Sequence, residues 1–249
     1  MRLRVMTYNV HRCVGVDKRL NVERVAEVID AMNPDVVCLQ ELDVRRMRTS
    51  NVDQAHRLGE LLQMRSHFHP AMRIEEEEYG DAILTHLPER RVRVGGLPEY
   101  KRVPGLEPRG AVWIAVEVPD GAGGGVELQI INTHLGLIPR EQHRQAAALL
   151  GDWMAEDDWK APAILVGDMN ATPRSTTYRM FNATLRDAQN HRVPTPTFPS
   201  RFPFMRIDHV FMTGGIKVIG VEVPYDTKSK VASDHLPLVV ELELEAPKT

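Results

Sequence analysis

The sequence predicts two packed, largely antiparallel β-sheets that carry helices on their outer faces. About ten or eleven segments have strand patterns and about three or four have helical patterns. Strand patterns often follow one another directly, which excludes an all-parallel sheet because parallel neighbours need long crossover connections. The 249 residues contain no internal repeat and no linker-like stretch, so we expect one domain over residues 1–249.

The first half of the chain opens with a strand, helix, strand pattern. Residues 3–9 alternate and are rich in strand formers, whereas residues 21–32 place apolar side chains at helical spacing behind Asn21, a candidate N-cap. Residues 35–39 follow as a buried strand. A helix is predicted at 54–62, strands are predicted at 80–84, 91–94, 111–118 and 126–132, and the last two flank a glycine-rich hairpin turn.

The second half begins with a long helix, rich in alanine and leucine, at residues 140–154. A buried strand at 163–166 then runs into a polar loop. The remaining predicted elements are a helix at 176–185, strands at 207–212 and 216–223 that form a hairpin around the glycines of 213–215, and a final strand at 236–244. The acidic run at 75–78 is interpreted as a solvated face.

Composition and charge exclude several classes of protein. A net charge of -3, with 43% hydrophobic and 26% charged residues, is ordinary for a globular chain and gives no general preference for nucleic acid or anionic membrane. Cys13 and Cys38 have no metal-binding spacing, and a reducing compartment fits them best. There is no signal-like segment and no apolar run of membrane-spanning length. We therefore expect a soluble, cytoplasmic monomer.

Polar side chains recur where predicted strands end or begin. Each could have a local structural role, such as a turn cap, a surface acid or a satisfied histidine. Six such segments in one chain are better explained by a shared site. They carry Asn9, Glu41, His134, Asp168 with Asn170, Asp208, and Asp234 with His235.

The composition of this set narrows the chemistry. Zinc would favour more cysteine and histidine at short spacing, and the sequence has no G-x-S-x-G, Walker A or G-x-G-x-x-G motif. Carboxylates, amides and two histidines suit Mg²⁺ or Mn²⁺ acting on a phosphate ester. In this hypothesis the metal neutralises a phosphoryl oxygen, a carboxylate activates water, and cationic imidazoles stabilise the transition state.

The motifs TYNV, QE, THL, GDMN, IDHV and SDH, in this order, resemble the endonuclease/exonuclease/phosphatase superfamily. The resemblance extends from Tyr8 to about Val240, and the opening pattern is similar to that of small bacterial stand-alone members. Each motif is short, but the ordered set is specific. The resemblance implies a deoxyribonuclease-like, four-layer α/β sandwich and a dependence on Mg²⁺ or Mn²⁺.

The resemblance also implies a metal site. By position in the QE motif, Glu41 corresponds to the main metal ligand, and Asn9 is expected close to the metal. Asp234, in SDH, is expected to contact the metal or a second cation.

The same resemblance implies five residues that act on the phosphate. Asp168 would orient or deprotonate the attacking water, and Asn170 would contact the phosphate or fix that water. His235 would grip the scissile phosphate, with Asp208 as the acidic partner that keeps it protonated. His134 corresponds to a second phosphate-binding histidine.

The sequence departs from parts of the family pattern. His11 stands where abasic-site endonucleases carry aspartate, and THL stands where they carry a tyrosine, so we place the chain outside that branch. Asp81 stands where many relatives have asparagine, and it either pairs with His134 or is a turn acid. Arg109 either touches the substrate phosphate or forms a structural ion pair.

Three segments are candidate substrate contacts. They are the loop 98–108, which includes Lys101 and Arg102, the arginine-rich loop 45–51, and the phenylalanine cluster at 198–204. The alternatives are two solvated loops and a packed one.

These observations favour a metal-dependent hydrolase of phosphate esters whose substrate is a small molecule or a lipid headgroup. The alternative is a nuclease that uses the same site, with a groove of basic and aromatic side chains. A non-catalytic binding domain on this scaffold is disfavoured because the whole chemical set is present.

Overall fold

The structure is a computed structural model that describes residues 1–100, 103–121, 123–154, 162–190 and 192–245. The described chain forms two six-stranded sheets with helices packed on their outer faces, which confirms the predicted sandwich. The strands are β1 (Arg2–Asn9), β2 (Val36–Val44), β3 (Arg65–Ile74), β4 (Glu77–Thr85), β5 (Glu89–Gly96), β6 (Gly110–Pro119), β7 (Gly125–His134), β8 (Ala163–Asp168), β9 (Arg186–Asp187), β10 (Asp208–Met212), β11 (Ile216–Glu222) and β12 (Leu238–Leu244). The α-helices are α1 (Val22–Asp30), α2 (Gln54–Leu62), α3 (Pro139–Ala148), α4 (Thr176–Thr184) and α5 (Ser229–Ala232).

The two sheets have the same internal arrangement. The first has the strand order β11-β12-β1-β2-β4-β3, and the second has the order β5-β6-β7-β8-β10-β9. In each sheet the third and fourth strands are parallel, and the other neighbours are antiparallel. The carboxyl ends of the two central strands therefore lie at one edge of each sheet.

Apolar side chains on alternating faces of the strands build three packed layers. On β1, Leu3 and Val5 face the core between the sheets, whereas Met6 and Tyr8 face the layer beneath α1 and α2. A third cluster joins α3 and α4 to the second sheet around Trp113. Because Asn9 has the same parity as Val5, it ends β1 on the side that faces the other sheet.

A buried polar link joins the two sheets close to this end. The Gln40 amide donates to the Asn132 amide oxygen at 2.7 Å, and Asn132 in turn donates to the Leu39 and Ala82 carbonyls at 2.9 Å. Buried polar groups stay favourable only when they are fully bonded. This link fixes the register of one sheet against the other beside the residues that the sequence analysis singled out.

Several predicted elements differ from the observed ones. β10 and β11 do not form the expected hairpin, since β10 pairs with β8 and β9 while β11 pairs with β12. Residues 213–215 instead carry the chain from one sheet to the other. The sequence pattern of two strands around glycines is the same in both cases, and only long-range pairing distinguishes them.

Strand β3 was not predicted. It is an edge strand with half-buried side chains, a proline at Pro70 and an irregular register opposite β4, so it lacks a clear period of two. The acidic run is also only partly a solvated face. Glu78 is buried and forms ion pairs with Arg45, at 3.6 Å, and with Arg73.

Gly167 precedes Asp168 in β8 and has a backbone φ of 143°. A Cβ atom at this position would lie 1.9 Å from the Thr133 carbonyl oxygen on the parallel neighbour β7. Glycine is required here because two backbones approach closely. Met169, two residues on, is fully buried beneath the helices.

We therefore expect Gly167→Ala to lower the free energy of unfolding by about 2 kcal/mol or more, through steric overlap and an unfavourable φ. Chemical denaturation monitored by circular dichroism measures this effect. The matched control is Gly151→Ala, where nothing lies within 4 Å of the added methyl group. If Gly167→Ala were as stable as wild type, the close approach of β7 and β8 would be contradicted.

Among the described residues, no helix combines the length and the apolar composition that crossing a membrane would need.

Candidate active site

Glu41 lies on a β-bulge inside β2, and not at the end of a strand as predicted. Pairing with β4 passes from Leu39 opposite Ala82 to Leu42 opposite Gly80, so two residues of β2 oppose Asp81 alone. Glu41 has a φ of 62°, and its backbone N–H donates to the Asp81 carboxylate. Bulges of this kind re-aim a side chain. Here the bulge turns Glu41 toward the gap between the sheets.

The Asn9 side chain connects two acidic residues. Its amide nitrogen lies 3.0 Å from Glu41 Oε1 and 3.0 Å from Asp168 Oδ2, and its oxygen accepts from the His11 N–H at 3.1 Å. One amide therefore joins the carboxyl ends of β1 and β8 to the bulge of β2. Asn9 orients both carboxylates by donating to them, and it does not direct its oxygen at a shared ligand.

Asp168 also faces a histidine that is held by a second aspartate. His235 Nδ1 lies 3.0 Å from Asp208 Oδ2, and His235 Nε2 lies 3.6 Å from Asp168 Oδ2. Asp208 is directly opposite Asp168 in the β10–β8 pair, and the Thr197 hydroxyl donates to the same oxygen of Asp208. The imidazole is thus enclosed by two carboxylates.

This enclosure sets the charges of the group. Burial alone would lower the pKa of His235, but Asp208 and Asp168 together raise that pKa to about 10, so the ring is an imidazolium at neutral pH. Burial, with the charge of Asp208, raises the pKa of Asp168 above its ordinary value, while His235 and the Asn9 hydrogen bond oppose the shift. A carboxylate with a raised pKa is a better proton acceptor.

His134 ends β7 and differs from His235 in its charge. Burial, the Arg109 guanidinium and His235 lower the pKa of His134 well below its ordinary value, so this ring is neutral. Arg109 Nη1 lies 3.0 Å from its Nδ1, and its Nε2 lies 3.5 Å from Asp168 Oδ2. The Asn170 amide lies 3.0 Å from the same Nε2. The expected pair of cationic imidazoles is therefore one cation, His235, and one neutral ring, His134.

The structure gives Asp81 and Arg109 positions that the sequence left open. Asp81 lies inside β4, buried, where it accepts the Glu41 N–H, and burial raises its pKa to about 7. It is therefore not a turn acid. Arg109 is buried, contacts His134 and lies 3.6 Å from Glu107, which combines an ion pair with a place beside the site.

The rim of the site is partly neutralised. The three arginines of loop 45–51 form ion pairs with nearby acids, which makes them structural. Lys101 and Arg102 lie outside the described residues. Phe198 packs its ring 4.8 Å from the His235 ring, whereas Phe202 and Phe204 are 79% and 75% exposed. Within the phenylalanine cluster, Phe198 therefore packs against the site, whereas Phe202 and Phe204 are exposed to solvent.

Asp234 lies at the edge of the site, with its side chain 38% exposed. Its Oδ1 is 3.9 Å from His11 Nδ1 and accepts from the Ser233 hydroxyl at 3.3 Å.

Sequence reasoning did not identify three residues that hold the site in place. Ser233 donates to the Asn9 carbonyl at 2.7 Å, His209 Nε2 lies 2.8 Å from the Ala171 carbonyl beside Asn170, and Thr197 bonds Asp208. Ser233 and His209 stand in the motifs SDH and IDHV, so the signal was present. Thr197 has no local sequence signal, because its partner is eleven residues away.

The donor set fits a hard divalent cation. Within the described ranges, a group of ligand atoms from Asp168, Asp208 and His235 lies within 4.8 Å of one another. His235 is cationic and donates its Nδ1 proton to Asp208, so it has no lone pair for a metal there. The remaining donors of this group are the carboxylates of Asp168 and Asp208, and Asp208 Oδ1 is buried without a hydrogen-bond partner. Glu41 lies outside the group, is partly exposed and shares the Asn9 amide with Asp168. Oxygen donors of this kind suit Mg²⁺ or Mn²⁺.

Comparisons with known proteins identify the family of this chain. A family model described as "Endonuclease/Exonuclease/phosphatase family" matches residues 6–235. The uncharacterized protein YbhP of Escherichia coli K12 is 26% identical over 97% of this chain and 96% of its own length. The solved endonuclease/exonuclease/phosphatase of Beutenbergia cavernae is 26% identical, with a TM-score of 0.78 over 98% of this chain and 72% of that one.

A third relative shares the fold at lower identity. The mannosyl-6-phosphatase of Bacteroides thetaiotaomicron is 20% identical, with a TM-score of 0.78 over 97% of this chain and all of its own. The family model covers most of the chain, including every strand end described above. The chain therefore belongs to the endonuclease/exonuclease/phosphatase family.

Proposed function

We propose that this protein is a metal-dependent hydrolase that cleaves phosphate esters at the site around Asp168. The observation that carries the proposal is that Asp168 lies within 3.6 Å of three polar side chains, those of Asn9, His134 and His235. A buried carboxylate with a raised pKa between a cation and neutral donors is suited to accept a proton from water. Family membership supports the same class of reaction.

We assign the metal site to Glu41, with Asp234 as a further oxygen ligand and with Asn9, whose amide donates to Glu41 Oε1 at 3.0 Å, beside it. Mg²⁺ or Mn²⁺, when bound, supplies a Lewis acid that neutralises charge on a phosphoryl oxygen. The fit rests on the oxygen-rich donor set. Asn9, which the sequence analysis expects close to the metal, orients Glu41 in this proposal.

The protein's own residues then complete the reaction. Asp168 accepts a proton as the water oxygen forms a bond to phosphorus and the bond between phosphorus and the ester oxygen breaks. The departing oxygen takes a proton from solvent. The His235 imidazolium stabilises the negative charge that builds on the phosphoryl oxygens, and Asp208 keeps that ring charged and oriented. The neutral His134 ring and the Asn170 amide, 3.0 Å apart, contact the phosphate without transferring a proton. Arg109 acts through His134, because its contact at 3.0 Å holds the ring in position.

We propose a small phosphorylated molecule or a lipid headgroup as the substrate. The ion pairs that neutralise the arginines of loop 45–51 leave little basic surface there for a nucleic acid backbone. The mannosyl-6-phosphatase among the similar structures is compatible with a small substrate. A nuclease is the second candidate, because Phe202 and Phe204 are exposed on the segment whose Phe198 packs against His235, and exposed aromatic rings can stack on bases.

The test is a panel of substrates with Mg²⁺ or Mn²⁺, comprising p-nitrophenyl phosphate, bis-p-nitrophenyl phosphate, inositol phosphates, sphingomyelin, plasmid DNA and single-stranded oligonucleotides. We expect hydrolysis of a small phosphate ester, its loss on chelation with EDTA, and its recovery when the metal is restored. Glu41→Ala should lower activity about a hundredfold or more at saturating substrate.

The matched control is Glu117→Ala, which removes an exposed acid from β6 and should leave activity unchanged. Activity that survives EDTA would contradict the metal assignment. Cleavage restricted to DNA or RNA would select the nuclease alternative.

A further inference from the structure

The turn that follows Asn9 has an unusual backbone. His11, Arg12 and Cys13 have φ values of 44°, 59° and 55°, so three consecutive residues other than glycine adopt the left-handed conformation. Three consecutive residues of this kind are rare in proteins. Strained backbone segments cluster at functional sites. The turn is held on all sides by the Asn9 oxygen, by the Gln54 amide on the Arg12 carbonyl at 2.7 Å, and by the buried Cys13 side chain.

The backbone of this turn fixes the position of Arg12 beside the site. The His11 N–H binds the same Asn9 side chain that bridges Glu41 and Asp168, and the His11 ring lies 3.9 Å from Asp234. Arg12 Nη2 lies 2.7 Å from His11 Nε2. His11 therefore contacts the Arg12 guanidinium, the Asn9 side chain and Asp234, and it links Arg12 to both of the other residues.

Arg12 differs from comparable arginines in its partner. Several other arginines have a buried side-chain nitrogen without a hydrogen-bond acceptor, as Arg12 has at Nε, and each of them also forms an ion pair with a carboxylate. They are Arg4, Arg24, Arg46, Arg109 and Arg206. Within residues 1–100, 103–121, 123–154, 162–190 and 192–245, no carboxylate lies within 4.0 Å of the Arg12 guanidinium. A half-buried cation without a counter-charge is costly unless a ligand supplies one.

The contacts of His11 explain how the guanidinium is held. His11 Nδ1 lies 3.1 Å from the Val14 carbonyl, which can only accept, so this nitrogen carries the proton. Nε2 is then the acceptor for the Arg12 Nη2 donor. His11 is thus a positioning residue that fixes one nitrogen of the fork and leaves the other donors of Arg12 available.

We infer that Arg12, positioned by His11, binds an additional anionic oxygen of the substrate next to the scissile phosphorus. A phosphodiester linkage carries one negative charge, whereas a terminal phosphate carries about two near neutral pH. The Arg12 guanidinium would add a positive charge to those of His235 and a bound metal. This larger positive charge suits the two negative charges of a terminal phosphate better than the single charge of a diester. This inference rests on the proposed function and makes its substrate class a phosphate group with an extra anionic oxygen, either on a terminal phosphate or on a neighbouring phosphate.

The first experiment measures kcat/KM for wild type and Arg12→Gln on p-nitrophenyl phosphate and bis-p-nitrophenyl phosphate. We expect the ratio of monoester to diester kcat/KM to fall about tenfold or more in Arg12→Gln, since a charged hydrogen bond is lost only for the monoester. A second pair of substrates, thymidine 5′-(p-nitrophenyl phosphate) with and without a 3′-phosphate, reports a neighbouring phosphate in the same way. Arg12→Lys keeps the positive charge but not the planar guanidinium. Its ratio of monoester to diester kcat/KM should lie between those of wild type and Arg12→Gln.

Arg19→Gln is the matched control, because Arg19 is an exposed arginine on the same loop and the change in net charge is identical. Both variants are first compared with wild type by thermal unfolding. Unchanged selectivity of Arg12→Gln on both substrate pairs would overturn the inference.

A binding measurement separates this inference from the proposed function. Isothermal titration with inorganic phosphate should give a Kd about tenfold higher for Arg12→Gln than for wild type and Arg19→Gln. If wild type hydrolysed none of the esters but still bound phosphate through Arg12, the proposed function would fail and the anion site would stand. Equal phosphate affinity in wild type and Arg12→Gln would contradict the anion site whatever the activity.

Discussion

Asp168→Asn is expected to lower kcat about a thousandfold or more while the fold stays intact. The asparagine keeps an oxygen for the Asn9 amide, 3.0 Å away, but it cannot accept a proton from water and cannot balance the charge of His235. Loss of a positioned general base costs about 10²–10⁴ in rate, and loss of the charge facing the imidazolium adds to this. Steady-state kinetics on the best substrate of the panel measures the effect.

Asp30→Asn is the control for this prediction, because Asp30 is exposed at the end of α1 and the change in net charge is the same. Its kcat should equal that of wild type. A kcat for Asp168→Asn within threefold of wild type would refute the role of Asp168 as the proton acceptor.

Asp187→Ala should have the largest effect on stability, lowering the free energy of unfolding by about 3–5 kcal/mol. The Asp187 carboxylate is buried, where it holds the Arg206 guanidinium, accepts from the Tyr178 hydroxyl at 2.8 Å and lies 3.3 Å from His209 Nδ1. Without it, Arg206 stays buried as a cation with no carboxylate. Urea denaturation measures the change, and Asp187→Asn, which keeps an oxygen acceptor, should lose less.

Glu27→Ala is the control, since its ion pair with Lys228 is exposed and contributes about 1 kcal/mol or less. Equal losses in Asp187→Ala and Glu27→Ala would show that the buried network does not stabilise the fold.

The same carboxylate gives stability a defined dependence on pH. Burial would raise the pKa of Asp187, but the hydrogen bond and charge of His209 and the charge of Arg206 outweigh it, and the pKa lies below its ordinary value. This stabilisation is fully present above the ordinary aspartate pKa of about 3.9, and it is lost as the pH falls through the lower folded value. Asp187→Asn should therefore show a weaker loss of stability below about pH 4 than wild type.

Local patterns predicted most of the elements, because the buried strands and amphipathic helices have clear periods. Asn21 caps α1 by accepting the Arg24 N–H at 2.8 Å, as its position suggested. The predicted hairpin at 207–223 failed because two strands around glycines look the same whether they pair with each other or with distant strands. β3 was missed because an edge strand with a proline has no clean alternation.

The ordered polar residues predicted a shared site, and the structure brings Asn9, His134, Asp168 and His235 within hydrogen-bond or ion-pair distance. The charge of each histidine could not be predicted from sequence. It depends on whether the neighbour in space is a carboxylate, as for His235, or the Arg109 guanidinium, as for His134. The bulge at Glu41 could not be predicted from the local sequence either, because it is defined by how β2 pairs with β4.

The common strand order of the two sheets relates the residues of the site in pairs. β1 and β7 hold equivalent places and end in Asn9 and His134, while β2 and β8 hold equivalent places and carry Glu41 and Asp168. The molecule thus has an approximate internal twofold in its topology. Its chemistry arises where that symmetry is broken.

The bulge is one such difference, leaving Glu41 half-exposed while Asp168 is only 1% exposed at the matching place. In the proposed function, the two carboxylates on matching strands have different roles, since Glu41 binds a cation and Asp168 accepts a proton. An insertion in β8 that copied the bulge would make the two sheets more alike. It would expose Asp168 as Glu41 is exposed and would remove the difference between the two carboxylates.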